Sequence, residues 1–307
     1  MDVGVIGVGA MGRNHVRVYS ELKSVDHLGV CDVNTDAATS IGKQLGASVY
    51  PSVEELLQHV DAVSICVPTP FHAKVAGQIF AAKKHTFIEK PICATAAEAR
   101  VLMAGAPHGI TIGVGHIERF NPIITEIKKI VTNPLYIEMK RHNPASARVT
   151  GSSIVEDLMI HDIDIIVNVF FPRPCSIHSV GNADLCSVLM ECGGVPVTLS
   201  ASRKASRKIR MIYIEEEDFT MEGDFMSQEV TIYRKPGQYQ FENERYVQEN
   251  IIEKVMVNKV EPLKVELSTF LDCAKRHAPF PVTPEQAIRN LEVSEQIRAG
   301  FISRAPL

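Results

Sequence analysis

The stretch Val3-Gly4-Val5-Ile6-Gly7-Val8-Gly9-Ala10-Met11-Gly12 decides the fold. It begins as a short apolar run of strand character and ends in a Gly-x-Gly-x-x-Gly loop, after which a helical pattern runs over 11–22. In such a loop Gly7 permits the tight turn, Gly9 lets a ligand approach the backbone, and Gly12 lets helix and strand pack closely. A helix starting here offers free N–H groups and a partial positive charge to phosphates. The next apolar run, Leu28–Asp32, ends on an acidic residue placed to accept hydrogen bonds from ribose hydroxyls. Val33, Asn34 and Thr35 bring no cation for a 2′-phosphate. The pattern therefore predicts NAD rather than NADP, with Gly7, Gly9, Ala10, Met11, Gly12 and Asp32 as its contacts.

Outward from this loop the rhythm repeats. Apolar runs at Ala62–Val67, Thr86–Glu89 and Ile110–Val114 alternate with helical patterns over 34–45, 70–83 and 95–106. That alternation predicts an α/β domain over 1–120 with a doubly wound parallel sheet, a Rossmann domain. Asn34-Thr35-Asp36 offers caps for the second helix, and Gly46 follows it where a left-handed residue is expected. After residue 133 strand-like runs dominate: 135–142, 176–181, 185–191, 195–202, 208–214 and 228–233. Cys192-Gly193-Gly194 leaves no room for a crossover helix, so an α+β domain over 121–307 with a large open, mainly antiparallel sheet is expected. Helical patterns fall at 156–170, 261–277 and 284–301, the last opened by Thr283-Pro284-Glu285 and free to pack back on the first domain.

Composition agrees. The 307 residues are 45 % apolar and 22 % charged, enough to give two domains proper cores. A net charge of −4 argues against nucleic acid as a partner, and no apolar stretch approaches a membrane span. The chain enters a strand pattern at once, with no leader, so a cytoplasmic location is expected. Cysteines at 31, 66, 93, 175, 186, 192 and 273 form no Cys-x-x-Cys pair, which predicts free buried thiols and no metal.

Three further segments carry a resemblance. Val67-Pro68-Thr69-Pro70-Phe71-His72, Glu89-Lys90-Pro91 and Asp157-Leu158-Met159-Ile160-His161, together with the glycine loop, resemble the glucose–fructose oxidoreductase/inositol dehydrogenase (Gfo/Idh/MocA) family. These anchors cover residues 4–164, about half of the chain; Met159 departs from the glycine that many members carry. The resemblance implies an NAD-dependent sugar dehydrogenase acting on a secondary hydroxyl, with a cis bond at Lys90–Pro91. It implies cofactor contacts from Pro68, Thr69, His72, Glu89 and Lys90. Oxidising an alcohol needs a hydride acceptor, an orienting group and a base. Lys90, at the carboxyl end of a strand, and His161 fill those roles by the resemblance. Asp157, four residues before His161 on a helix, shares its face and would fix the imidazole tautomer. Asp162 and Asp164 are competing carboxylates, with Asp164 assigned to substrate. His15 either touches the cofactor or packs.

Gly115-His116-Ile117-Glu118-Arg119-Phe120-Asn121-Pro122 resembles the corresponding segment of the branch that oxidises the 3-hydroxyl of UDP-N-acetylglucosamine. By that resemblance Glu118, Arg119 and Asn121 line a sugar pocket. A diphosphate also calls for cations, and Arg141 and Arg148 are the candidates. The basic run Arg203, Lys204, Arg207, Lys208 and Arg210 reads as a solvated sheet face. A small-molecule nucleotide sugar is thus the expected partner, and a homodimer or homotetramer through the C-terminal sheet the expected assembly. The rivals are a polyol or inositol dehydrogenase and a non-catalytic NAD-sensing regulator, which has no need to keep Lys90, Asp157 and His161 together.

Overall fold

In the computed structural model the described residues are 1–144, 153–235, 240–242, 245–247 and 251–301. The chain begins β1 (Asp2–Ile6), α1 (Ala10–Glu21), β2 (His27–Cys31), α2 (Thr35–Leu45), β3 (Ser48–Val49), α3 (Val53–Gln58) and β4 (Ala62–Ile65). It continues through α4 (His72–Ala81), β5 (His85–Glu89), α5 (Ala96–Ala104), β6 (Ile112–Gly115) and α6 (Pro122–Ile130) to β7 (Tyr136–His142). A helical stretch follows in which π-turns at Val155–Met159 and Ile166–Phe170 flank α7 (Ile160–Ile165). Then come β8 (Ser176–Gly181), β9 (Leu185–Cys192), β10 (Val195–Ser202), β11 (Ile209–Glu215), β12 (Phe219–Asp224) and β13 (Glu229–Arg234). The short β14 (Gln240–Glu242), β15 (Arg245–Val247) and β16 (Ile252–Val255) precede the closing helices α8 (Pro262–Arg276) and α9 (Pro284–Ala299). Among the described residues no helix is long and apolar enough to cross a membrane.

Two compact units result. The first joins Met1–Phe120 to Glu261–Glu292. Its six-stranded sheet has the order β3-β2-β1-β4-β5-β6, every pair parallel. All four residues of β4 and four of five in β1 and β5 are buried, as strands covered on both faces require. The cap expectations hold: the Asn34 side chain accepts from the Ala37 N–H, and Gly46 closes α2 at φ +71°. Strand β3 and helix α3 escape the sequence reading because two and six residues are too short to show a period. Glu261–Glu292 groups with this unit because Leu263, Leu267, Phe270, Leu271 and Phe280 complete its core. Phe87 meets Phe270 and Phe280 edge-on at 5.3 and 5.8 Å.

The second unit joins Asn121–Val260 to Val293–Leu307. Its eight-stranded sheet runs β16-β13-β12-β11-β7-β10-β9-β8. Every neighbouring pair is antiparallel except β7 with β10, whose long connection through the helix and the β8–β9 hairpin permits a parallel match. Gly193 and Gly194, at φ +64° and +89°, turn β9 tightly into β10. One face of β9 buries Cys186, Val188, Met190 and Cys192, and the other exposes Leu185, Ser187, Leu189 and Glu191. Met159 is fully buried in this core, where its side chain fills space.

The cysteine expectation is corrected. Cys175 and Cys192 form a disulfide with Cα atoms 4.4 Å apart, and the other five cysteines are free. The pair meets because Cys175 immediately precedes β8, whose first residue, Ser176, lies opposite Glu191 on β9. Spacing in the sequence does not reveal that register.

Candidate nucleotide and catalytic site

The glycine loop has the shape its sequence requires. Gly7 sits at φ +88°, and a side chain there would strike the backbone of Cys66 and Val67 at 2.8 Å. A Cβ on Gly12 would overlap the Gly7 carbonyl oxygen. Gly9 differs, because nothing lies within 4 Å of the Cβ it lacks. It is also the N-cap of α1, and no side chain caps the free N–H groups there. An open backbone at an uncapped helix start fits a pyrophosphate. Asp32 directly follows β2; its carboxylate accepts from the Val8 N–H at 2.6 Å and the Asn34 N–H at 2.8 Å. It therefore ties the loop to the next turn and keeps further lone pairs for ribose hydroxyls. These residues fit NAD.

At the carboxyl end of β5 lies the Glu89-Lys90-Pro91 turn, with a cis Lys90–Pro91 bond. Glu89 is buried; its Oε1 accepts from His15 Nε2 at 2.8 Å, and its Oε2 accepts from the Lys90 N–H at 3.2 Å. Burial works to raise the Glu89 pKa, but the hydrogen bond from His15 and the charges of His15 and Lys90 outweigh it and hold the carboxyl below its usual range. Glu89 thus supports the turn from beneath. His72 packs against the same turn. It is 1 % exposed, with Nδ1 at 2.9 Å from the Pro91 oxygen and Nε2 at 2.9 Å from the Val67 oxygen. Burial lowers its pKa, against the hydrogen bonds to the Val67 and Pro91 carbonyls, which work to raise it. His72 braces the Lys90 turn against the Val67-Pro68-Thr69 loop. Pro68 is exposed and Thr69 half-buried, while Lys90 is half-buried.

In the second unit, Asp157 lies in the first π-turn and His161 in α7 just after it. A π-turn advances the helix differently from the 3.6-residue period, so the four-residue spacing is no simple guide to a shared face. The Asp157 carboxylate accepts from Arg203 Nη2 at 2.9 Å and Nε at 3.3 Å. Arg203, expected on a solvated sheet face, has a side chain only 12 % exposed. Arg141 is likewise not where a diphosphate cation was expected. It is 1 % exposed, bonded to Asp162 Oδ1 through Nε at 2.9 Å and Nη2 at 2.7 Å, and its guanidinium stands 5.5 Å from the centre of the Phe225 ring. A carboxylate inside the same unit has engaged it. Asp164 is buried and accepts from Asn168 at 2.9 Å. Arg148 lies outside the described residues.

The expected sugar-binding segment spans both units in sequence. Glu118 is buried in the first, and Arg119 donates there to Gln286 at 2.8 Å. Asn121, in the second, caps α6 through the Ile123 N–H at 3.3 Å and donates to the Phe225 oxygen at 3.0 Å. Its amide therefore serves the fold on both sides. Sequence reasoning left His15 undecided; its 74-residue separation from Glu89 is bridged only by the fold.

Comparison with known proteins agrees with this geometry. Residues 1–116 match the oxidoreductase family with an NAD-binding Rossmann fold. The UDP-N-acetylglucosamine 3-dehydrogenase of Acidithiobacillus ferrooxidans is 32 % identical over 315 residues, covering 98 % of this chain and 97 % of that protein. A solved structure of that enzyme superposes with a TM-score of 0.88 over 99 % of both chains, at 29 % identity. The inositol 2-dehydrogenase of Serratia proteamaculans is 30 % identical over 196 residues, covering 56 % of this chain and 58 % of that one. The glycine cradle, the Glu89-Lys90-Pro91 turn and a similarity that runs the whole length place this chain in the Gfo/Idh/MocA family of NAD-binding oxidoreductases.

Proposed function

We propose that the chain oxidises the 3-hydroxyl of UDP-N-acetylglucosamine to the 3-keto sugar with NAD. The observation that carries this is coverage. Likeness to the Acidithiobacillus enzyme extends over 98 % of the chain, while likeness to the Serratia inositol enzyme stops at 56 %. The part of the chain beyond the nucleotide fold is therefore also alike in the first case.

In this reading the Gly7–Gly12 loop and Asp32 hold NAD, which supplies the hydride acceptor. His161 takes the hydroxyl proton, and the Lys90 ammonium polarises the hydroxyl oxygen so that the proton leaves more easily. Asp157, anchored on Arg203, contributes negative charge near the start of the helix that carries His161 and favours the imidazolium that forms. The family's contacts from Pro68, Thr69, Glu118, Arg119 and Asp164 enter as part of the same reading.

A second reading, a polyol or inositol dehydrogenase, draws support from Arg141. Because Asp162 engages it, the one diphosphate candidate of the sequence that remains is Arg148, outside the described residues. The test is to incubate the protein with NAD and either UDP-N-acetylglucosamine or myo-inositol, with and without 2-oxoglutarate as a recycling acceptor, and to weigh the products. A sugar-nucleotide product two mass units lighter supports the first reading. Oxidised inositol alone supports the second, and NAD binding with no oxidation of either leaves a regulator.

A further inference from the structure

One buried ionisable side chain on α1 has no part in the chemistry above. His15 is 0 % exposed, packed 5.6 Å from the Phe87 ring and 6.2 Å from the Tyr19 ring. Among the described residues its Nδ1 has no hydrogen-bond partner, and its Nε2 meets Glu89 Oε1 at 2.8 Å. Glu89 is held ionised and accepts, so Nε2 carries a proton. Two apolar side chains of the same shape would pack between α1 and β5 at least as stably, since buried polar pairs cost desolvation. What the pair adds is direction. The Glu89 carboxylate is pinned by His15 on one side and by β6 on the other, where a Cβ on Gly115 would come within 3.1 Å of both carboxylate oxygens. Its second oxygen then accepts from the backbone N–H of Lys90. The helix that starts at the glycine cradle is thereby linked, through one buried hydrogen bond, to the turn that presents Lys90.

We propose that His15 is a positioning residue which, through Glu89, sets the orientation of Lys90. The proposal rests on the reading of Lys90 as the group that polarises the hydroxyl, and its test separates the two. The titratable groups facing Glu89 are His15 and Tyr19 from α1, His72 from α4, Lys90 from its own turn, and the uncharged Cys66 thiol after β4. Glutamine at position 15 can place an amide N–H near the Nε2 position; methionine fills the space and cannot donate.

The experiment compares His15→Met, His15→Gln and Glu89→Gln with the wild type. Lys90 reactivity towards acetic anhydride is measured by peptide mass spectrometry against exposed Lys83, and NAD affinity by titration calorimetry. Loss of one hydrogen bond to a charged group changes the relevant step by about tenfold to a hundredfold. His15→Met and Glu89→Gln are expected to change the relative Lys90 labelling by a factor in that range, and His15→Gln to restore most of it. NAD affinity should stay within about threefold of wild type in His15→Met, less than one hydrogen bond's worth. Where turnover is measurable, kcat falls in His15→Met with KM little changed, and recovers in His15→Gln. Unchanged labelling in His15→Met overturns the proposal. So does a His15→Gln protein as altered as His15→Met, because His15 would then act by packing alone. If His15→Met does not fold, unchanged labelling in Glu89→Gln overturns it equally. Retained turnover in Lys90→Met removes the catalytic reading of Lys90 and leaves the labelling result to judge His15.

Discussion

Gly9 and Gly12 sit three residues apart in one loop, yet alanine at each should fail in a different way. At Gly9 the backbone is φ −63°, ψ −161°, a conformation alanine adopts freely, and the added Cβ meets nothing within 4 Å. Gly9→Ala should therefore fold at least as well as wild type, gaining about 0.4–1 kcal/mol from a less mobile unfolded chain. The open space is where a pyrophosphate would approach, so the same methyl should displace the ligand from the helix N–H groups. Losing one hydrogen bond to a charged group costs about 1.5–3 kcal/mol, a roughly tenfold to hundredfold weaker Kd. NAD at 100 times the wild-type Kd stabilises wild type by about 2.7 kcal/mol; for a thirtyfold weaker variant the gain falls below about 1 kcal/mol. Gly12→Ala, by contrast, forces a Cβ onto the Gly7 carbonyl oxygen and should lower Tm with no ligand present. Thermal unfolding with and without NAD reads all four quantities. A Gly9→Ala protein with wild-type NAD affinity would refute the placement of the pyrophosphate over Gly9.

Breaking the Arg141–Asp162 pair by Arg141→Met should cost about 3–5 kcal/mol, because it strands a buried charge, whereas Arg141→Met with Asp162→Leu should recover most of the loss; urea denaturation checks this, and a double variant as weak as the single one would count against the pair. His161→Asn should lower turnover about 10²–10⁴-fold while NAD affinity holds; single-turnover hydride transfer near the wild-type rate would move the base elsewhere. The Glu89 carboxyl is held below its ordinary pKa in the fold. The stability it contributes is then fully present above about pH 4.3, the ordinary glutamate value, and is lost as pH falls through the lower folded value. Glu89→Gln should flatten the dependence of the urea midpoint over that window, and an unaltered slope would mean that His15 does not favour the charged form.

What could be read in the sequence was local. The glycine loop, the Asn34 and Gly46 caps and the apolar runs of the first sheet announce themselves because their causes lie within a few residues. Partnership between distant residues did not. Arg141 reads as a free cation until β7 and α7 bring it to Asp162, 21 residues on. His72 reads as a ligand until both its nitrogens are seen on the Pro91 and Val67 carbonyls. The Cys175–Cys192 bond depends on how β8 registers with β9, and the four-residue spacing from Asp157 to His161 passes through a π-turn that no period reveals. In each case residue type was legible and its engagement was not, since a charge or a thiol acquires its partner only from topology.

The path of the chain through its first unit has a consequence during synthesis. That unit is built from Met1–Phe120 and Glu261–Glu292, so its sheet leaves the ribosome long before the helix that covers Phe87. From Phe120 to Phe280 the interval is 280 − 120 = 160 residues, about eight to thirty seconds at ordinary elongation rates. Throughout that time the apolar face that will receive Leu267, Phe270 and Phe280 is bare. The nascent nucleotide fold must therefore wait for α8 before it can close, and a stop codon placed anywhere ahead of α8 should leave a product that chaperones retain and proteases clear.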